Sequence, residues 1–592
     1  MAKLDSILEQ ASTVEKQYKE GLQYKKQMGF LSSWAEYERF KAGDQWPAPT
    51  DKTKNLPRPV FNIIRQIENH KVASVMNENI KMVFTALEAD EETKNPETGE
   101  TIEPPEVQAA DLFTKYADST WENIKQGELN EEALESASNV GTAIWHYYWD
   151  ATVTGGNKLK FMGEMQGEVI DPVNFFPGNP QNRIVEHQPY IIITHRELVE
   201  NVRKQAEESK VSKEIITLIR PDGETNDQAY DMAKKELSTN DKVTVLTKYW
   251  KENGQVFFMK VASGVVIKPK TNSNLKRYPL VVMQWERRKK SIFGVGDTEG
   301  LIPNQKAINF LMAMQLLSVQ LTGWPKLIVD KTMVRQPISN TPGEVINVQG
   351  QSGASIHNSI QYMNPGNISG DAPMLVDSFM TYTKAITGAN ENALGEQNTS
   401  QLNATAIMLL QKAAGVPIES IKRRFYQAME DVGLVWSEFW KVYYNTTRMI
   451  ALEDEDGEEY SQEFNGSDYK DIDMRLKIDI GPSSSYSESL MMTSLDKLFD
   501  MGHIDLEQYL LFAPKNVIPF KDRLLKSIQE KQEEAEQQQD DMFDQMIQQL
   551  SPEEQQAFMS APPEVQEQIK AQMMQAQQEG QPEEQPEEQA PM

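Results

Sequence analysis

Apolar residues recur at helical spacing over residues 1–50, with Trp34, Tyr37 and Phe40 on one face and Gly43 as a stop. A turn-rich stretch from Pro47 to Pro59 separates this region from a second predicted helix, Val60 to Met76. Its apolar side is Ile63, Ile64, Ile67 and Val75. Residues 88–105 are acidic and proline-rich, which predicts a surface loop, and helices return over 106–138. From 140 to 285 the pattern changes to strands: Gly141 to Trp149, Lys158 to Ile170, Val243 to Trp250, Val256 to Met259 and Leu280 to Trp285. Asn253-Gly254 predicts a hairpin turn, and a helical insert is expected over about 196–238.

The middle of the chain carries most of the information. A helix is predicted from Pro303, a residue favoured in a first turn, to Thr322, with Gly323 as its stop. Its apolar residues, among them Ile308, Leu311, Met312, Leu316 and Val319, surround much of the axis, so it is expected to be buried on most sides. Residues 326–365 read as a small β excursion with strands at Leu327 to Asp330 and Val345 to Val348. A second helix follows, with Asp371 as N-cap, Pro373 in the first turn and Gly388 as its end. A polar loop then leads into a long helical pattern over 400–447. Gly415-Val416-Pro417 should kink it, because proline removes an N–H and clashes with the preceding turn. Beyond the kink, Ile421, Phe425, Val432, Trp436, Trp440 and Tyr443 hold one face, which at this spacing reads as core packing. Residues 451–480 are expected to form a hairpin around Glu453 to Gly457, with Arg475 to Ile480 as its later strand. Helix returns over 487–512, and a Gln/Glu-rich, partly helical tail follows from 521, disordered at its end.

Composition narrows the function. The 592 residues include no cysteine, which removes disulfides, thiol catalysis and zinc–thiolate sites together. The 6 histidines show no zinc-binding spacing, so no metal and no cofactor are expected. No apolar run is long enough for a membrane span, and the start lacks the apolar core of a leader peptide. The net charge of −28 argues against tight phosphate binding but leaves open a surface along which DNA slides.

Several motifs have an ordinary reading that outweighs a chemical one. Gly294-Val-Gly-Asp-Thr-Glu-Gly300 lacks the Gly-Lys-Ser/Thr ending of a phosphate loop and reads as a turn before a helix. Asp454-x-Asp456-Gly457 has Leu452 where a calcium loop needs its first ligand. Asp90-Glu91-Glu92 reads as solvated surface. Two basic clusters, Arg287-Arg288-Lys289-Lys290 and Lys422-Arg423-Arg424, are open to phosphate contacts, ion pairs between subunits or a solvated face.

The order of elements (buried helix, β excursion, helix, polar loop, long kinked helix) resembles the core of phage portal proteins, the head-to-tail connectors of bacteriophages. Phe40-x-x-Gly43-x-Gln45-Trp46, Arg58-Pro59-x-x-Asn62, Asp171-Pro172-x-x-Phe175-Phe176, Gly294-x-Gly296-Asp297 and Gln397-Asn398 through Ala404-Thr405-Ala406 resemble the short-tailed, P22-like branch. The similarity spans roughly residues 20–510. It implies an α+β portal fold: an α/β wing, a two-helix stem, a small β-containing clip, a long kinked wing helix and a helical C-terminal crown or barrel. The expected boundaries are wing 1–297, first stem helix 298–325, clip 326–365, second stem helix 366–388, tunnel loop 389–399, long wing helix 400–450, wing return and crown 451–520, and tail 521–592.

The resemblance further implies a ring, usually of twelve subunits, at one capsid vertex of the virion, assembled in the host cytoplasm. Double-stranded DNA passes through it during packaging and ejection. Its expected partners are the terminase motor, a head–tail adaptor, the major capsid protein and scaffold. In the tunnel loop, Asn390, Glu391, Asn392, Leu394, Glu396, Gln397 and Asn398 would face DNA. In the clip, Lys326, Asp330, Lys331 and Arg335 would dock the motor or adaptor. No catalytic residue is expected. The rival readings are another head–tail adaptor, whose ring would lack an internal clip, and a metal-dependent hydrolase, which would need clustered carboxylates. Removing residues 521–592 should leave a soluble ring by native mass measurement; complete unfolding would place the tail in the core.

Overall fold

The computed structural model describes residues 2–77, 80–87, 93–94, 101–102, 104–156, 158–222, 241–323, 326–339, 344–349, 360–363, 371–387, 404–453, 459–480 and 485–513, with isolated positions up to 528. The predicted tunnel loop, 389–399, lies outside them. The chain divides into two units: Met1–Asp454 with Glu459–Ser483, and Glu455–Glu458 with Ser484–Met592.

The first unit opens with α1 (Ala2–Gln27), α2 (Phe30–Lys41) and α3 (Ile63–Met76). The single N-terminal helix expected from the pattern is broken in two at Gly29. Its φ of 74° is open to glycine and strained for other residues. There follow β1 (Ile80–Ala86), the two-residue strands β2 (Thr93–Lys94) and β3 (Thr101–Ile102), α4 (Pro105–Asn123) and α5 (Gln126–Val140). The strand-rich region comprises β4 (Thr142–Gly155), β5 (Phe161–Val169), β6 (Phe175–Pro177) and β7 (Ile191–Leu198), then α6 (Val199–Glu208) and α7 (Lys213–Ile216), then β8 (Lys242–Glu252), β9 (Gln255–Ala262), β10 (Val265–Asn272) and β11 (Leu280–Gln284). These strands build a five-stranded sheet, β10-β9-β8-β7-β6, and a three-stranded sheet, β11-β4-β5. All their pairings are antiparallel.

Next come α8 (Asp297–Gly323), the hairpin strands β12 (Lys326–Val329) and β13 (Ile360–Met363), α9 (Asp371–Thr387) and the 40-residue α10 (Ala404–Tyr443). Strands β14 (Arg448–Glu453) and β15 (Glu459–Phe464) pair as a hairpin across the predicted turn region, and β16 (Met474–Ile480) completes the unit. The second unit contains α11 (Ser485–Asp500) and α12 (Leu506–Phe512), joined where Tyr509 donates to Asp496 at 2.6 Å. Helix and sheet are both abundant, so the fold is α+β as expected. No described helix is long and apolar enough to cross a membrane.

Three expectations need correction. First, α8 starts at Asp297, so Pro303 lies inside the helix and not in its first turn. It forfeits one hydrogen bond, while tertiary contacts of Asp297 and Thr298 hold the earlier turn. Second, residues 344–349 form no strand; the partner of β12 is β13. Val345 and Asn347 instead lie beside Gln336, whose side chain donates to Val345 O at 2.9 Å and accepts from Asn347. Third, the later strand of the hairpin is β15 and not Arg475 to Ile480, which fall in β16. It pairs with β1, in register from Ile80↔Ile480 to Ala86↔Met474.

That distant pairing makes a floor for α10. The predicted face of this helix is buried: Ile421, Phe425, Val432, Trp436 and Trp440 pack against β1, α4 and β4. Trp440 is the centre of an aromatic cluster. Phe113 meets it edge-on at 5.3 Å, with Tyr116 at 4.8 Å and Phe84 at 6.0 Å. Helix α10 runs without interruption past Pro417. Trp440→Ala should cost about 3–5 kcal/mol, read as a shift in the denaturation midpoint. A loss below about 1 kcal/mol would show that Trp440 is not central to the core.

Candidate functional site

The feature that distinguishes this fold is a pair of helices carrying a β hairpin at their far end. Asn304, near the start of α8, donates to Thr383, near the end of α9, at 3.1 Å, so the two run antiparallel. Strands β12 and β13 join their other ends. The 27 residues of α8 span about 40 Å.

The root of α8 is set in a buried polar network. Asp297 accepts from Lys71 at 2.7 Å through one oxygen and from the Trp285 indole at 2.9 Å through the other. The Thr298 hydroxyl lies against the Glu68 carboxylate and 2.9 Å from the Asn139 amide. About two turns on, Gln305 accepts from Ile63 N at 3.0 Å and donates to Phe61 O at 2.6 Å, and one turn beyond it Asn309 donates to Gln45 at 2.6 Å. The glycines just before the helix allow this approach. A Cβ on Gly296 would come within 2.3 Å of Asn139 O, and one on Gly294 within 2.2 Å of Gly141 O.

Most of the sequence motifs meet here or beside it. Gln45 donates to Phe40 O at 2.9 Å and to Asn62 at 3.2 Å, and Asn62 in turn caps α3. Trp46 donates to Pro59 O at 2.9 Å. In the Asp171-Pro172 motif, Pro172 O and Val173 O accept from the buried ammonium of Lys25, which also lies 3.7 Å from the centre of the Phe176 ring. Burial pushes the Lys25 pKa well down. Gln397-Asn398 lies outside the described residues.

Beyond the root, the two helices change character. Ile302 and Ile308 of α8 and Val376 of α9 share a cluster with Phe40 and Ile67. Farther out, Phe310, Leu316 and Val319 on α8 and Met374 and Leu375 on α9 are exposed, Val319 by 69% and Met374 by 70%, while the exposed Tyr382 and Ile386 lie at the root end of α9. In one isolated chain, α8 is therefore not buried on most sides as its sequence predicts.

The predicted clip residues and basic clusters fall among the described residues, and the tunnel-loop residues do not. Lys326, Asp330, Lys331 and Arg335 are all exposed around β12 and the turn after it. The Thr332 hydroxyl and N–H donate to Asp330 and hold its carboxyl below the usual range. The basic clusters separate. Arg288 pairs with Glu299 at 2.8 Å and lies over the Phe30 ring. Arg424 donates to Trp285 O. Arg287 and Arg424, far apart in sequence, line one recess. Lys289, Lys290 and Arg423 are exposed, and Lys422 is half-buried.

The sequence reading missed Glu68 and Lys71 as supports of α8. The available signal was two charged side chains on the otherwise apolar face of α3. Burial pushes the Glu68 carboxyl up to about 7, against the opposing pull of Lys41 at 3.6 Å. A raised carboxyl pKa means that the folded state holds its proton longer than the unfolded chain. Its contribution to stability therefore falls as pH rises from about 4.5 through about 7. Glu68→Gln should flatten that part of the stability-versus-pH curve, and an unchanged slope would assign the titration elsewhere. Lys71→Met should destabilise by about 3–5 kcal/mol, because it leaves Asp297 buried without its cation and with only the indole N–H donating to it; chemical denaturation measures it.

Among the described residues, no group of three or more His, Asp or Glu side chains could hold a metal ion. A family model for phage P22-like portal proteins matches residues 183–583. No curated protein matches the chain. The match covers more than half of the sequence, and the chain belongs to the phage P22-like portal protein family.

Proposed function

We propose that this phage portal protein, a component of the virion capsid and head-to-tail connector in DNA packaging, works as a closed ring of twelve copies, with α8 and α9 as the stem and the hairpin of β12 and β13 within a clip over 326–365. Residues 1–297 and 400–450 make the wing, 451–520 its return and crown, and 521–592 a tail directed to the capsid interior. The polar loop 389–399 faces the DNA. The clip docks the terminase motor during filling and the head–tail adaptor afterwards, and the wing meets the major capsid protein and scaffold.

One observation carries this reading: the outer halves of α8 and α9 expose large apolar side chains on a helix pair held rigidly at its root. Such a surface is stable in water only when covered, and equivalent helices of neighbouring copies cover it in a closed ring. A mechanical conduit also needs a lining that does not hold phosphate, which the net charge of −28 favours.

Native mass combined with particle images tests the ring: a particle of about a dozen chains around a central hole is expected. A compact monomer with magnesium-dependent activity on DNA would overturn it in favour of an enzyme. Deleting Asn390 to Asn398 should leave ring assembly intact and impair DNA packaging or retention, and loss of the ring would sink the tunnel-loop assignment.

A further inference from the structure

Strand β11 lies at the edge of its sheet, paired on one side with β4. Trp285 N donates to Gly141 O at 3.0 Å, and Tyr147 N to Pro279 O at 2.9 Å. With the register of the pair, these two bonds place the main-chain groups of Val281 and Met283 toward β4. Leu280, Val282 and Gln284 therefore turn theirs to the other side. Glu286 does the same and is satisfied there, exchanging bonds with Val295 at 3.1 and 3.0 Å. The outward main-chain groups of Leu280 and Val282 bond to no described residue.

That open edge is one wall of a recess of about 290 Å³. The other wall is a face of α10: Arg424, Gln427, Ala428 and Asp431. Arg183, Arg277 and Arg287 complete the rim. The acids of the recess are already engaged: Glu186 by Lys251 and Tyr278 N, and Asp431 by Arg277 at 3.7 Å. Arg183 and Arg287 make no ion pair or hydrogen bond with any described residue. Arg287 also repels Arg424, which burial already disfavours as a cation, while Glu286 offsets only part of this. On a chain of net charge −28, this is a local concentration of uncompensated guanidinium.

We propose that this recess receives an extended acidic segment of the neighbouring copy in the ring, which adds a strand to β11 and sets its carboxylates among the arginines. Only a peptide main chain alternates N–H and C=O at the spacing of a strand edge. A duplex carries its phosphates on a convex surface and cannot reach the edge of β11 inside a recess of this size. Guanidinium pairs hold carboxylates in a planar fork. The excess of 88 acidic over 60 basic residues gives each copy acidic segments to offer. The inference rests on the ring reading and adds to it a second contact, distinct from the apolar stem.

The absence of cysteine allows a clean test. Gln427→Cys places a single thiol on the exposed rim, where a photo-crosslinker can be attached and fired in the assembled particle. The expected product is a covalent dimer whose crosslinked peptide is acidic. Adding Arg183→Glu and Arg287→Glu, both exposed side chains, should leave the fold intact and lower the dimer yield at least about tenfold. About 1 M salt, where screening acts over about 3 Å, should lower it as well. A ring that crosslinks only within its own chain, to DNA, or to a segment without acidic residues overturns the inference and leaves the ring reading standing. A monomeric native mass removes both.

Discussion

The architecture depends on one buried carboxylate. Asp297 stands at the first position of α8, held by the Lys71 ammonium on one oxygen and the Trp285 indole on the other. A charge removed from water is tolerated only when its partners are close and correctly aimed. Here they come from α3 and from the residue that follows β11, so three separate parts of the chain must be in register before the network closes. Gln305 and Asn309 repeat the arrangement about two and three turns along, tying the helix to Phe61, Ile63 and Gln45. Polar contacts of this kind contribute direction more than energy. An apolar root could pack in several rotations; this one accepts a single setting.

That fixed direction gives the outer half of the helix pair its meaning. Within one chain, the apolar cluster at the root ends near Ile308 and Val376, and beyond it large apolar side chains face water. A rigid lever with an apolar outer surface presents the same face in every copy. For a portal protein, this is a way to make a wide ring from helices that each chain alone leaves half covered. The arginine recess beside β11 has the opposite chemistry, so the two surfaces would respond differently to salt.

The same principle of satisfied burial recurs at Lys25. Two main-chain carbonyls and the Phe176 ring replace water around its ammonium, which locks α1 to the turn before β6. Glu68 is the less settled member. It keeps Thr298 and a distant Lys41, and its raised pKa records that its burial is only partly offset.

Local pattern was enough to locate most elements. The face of α10, the Asn253-Gly254 turn and the two helices flanking a β excursion follow from periodicity and turn chemistry, which act over a few residues. The motifs that carry the family resemblance were legible as spacings, while the reason for them was not. Gln45, Asn62 and Asp297 look like ordinary polar residues until folding brings them to α8. What tertiary structure alone decided is long-range. β16 crosses the chain to pair with β1, a pairing between distant strands that no local pattern encodes. Asp297 extends α8 back beyond Pro303 because distant partners outweigh the local preference of proline for a first turn. Arg287 and Arg424 become neighbours only when α10 lies against β11. The sequence by itself determined the helices, strands and turns and the family they imply. Only the tertiary structure decided which polar side chains meet, because charge–charge and hydrogen-bond partners are selected by distance in space, on which a linear pattern carries no information.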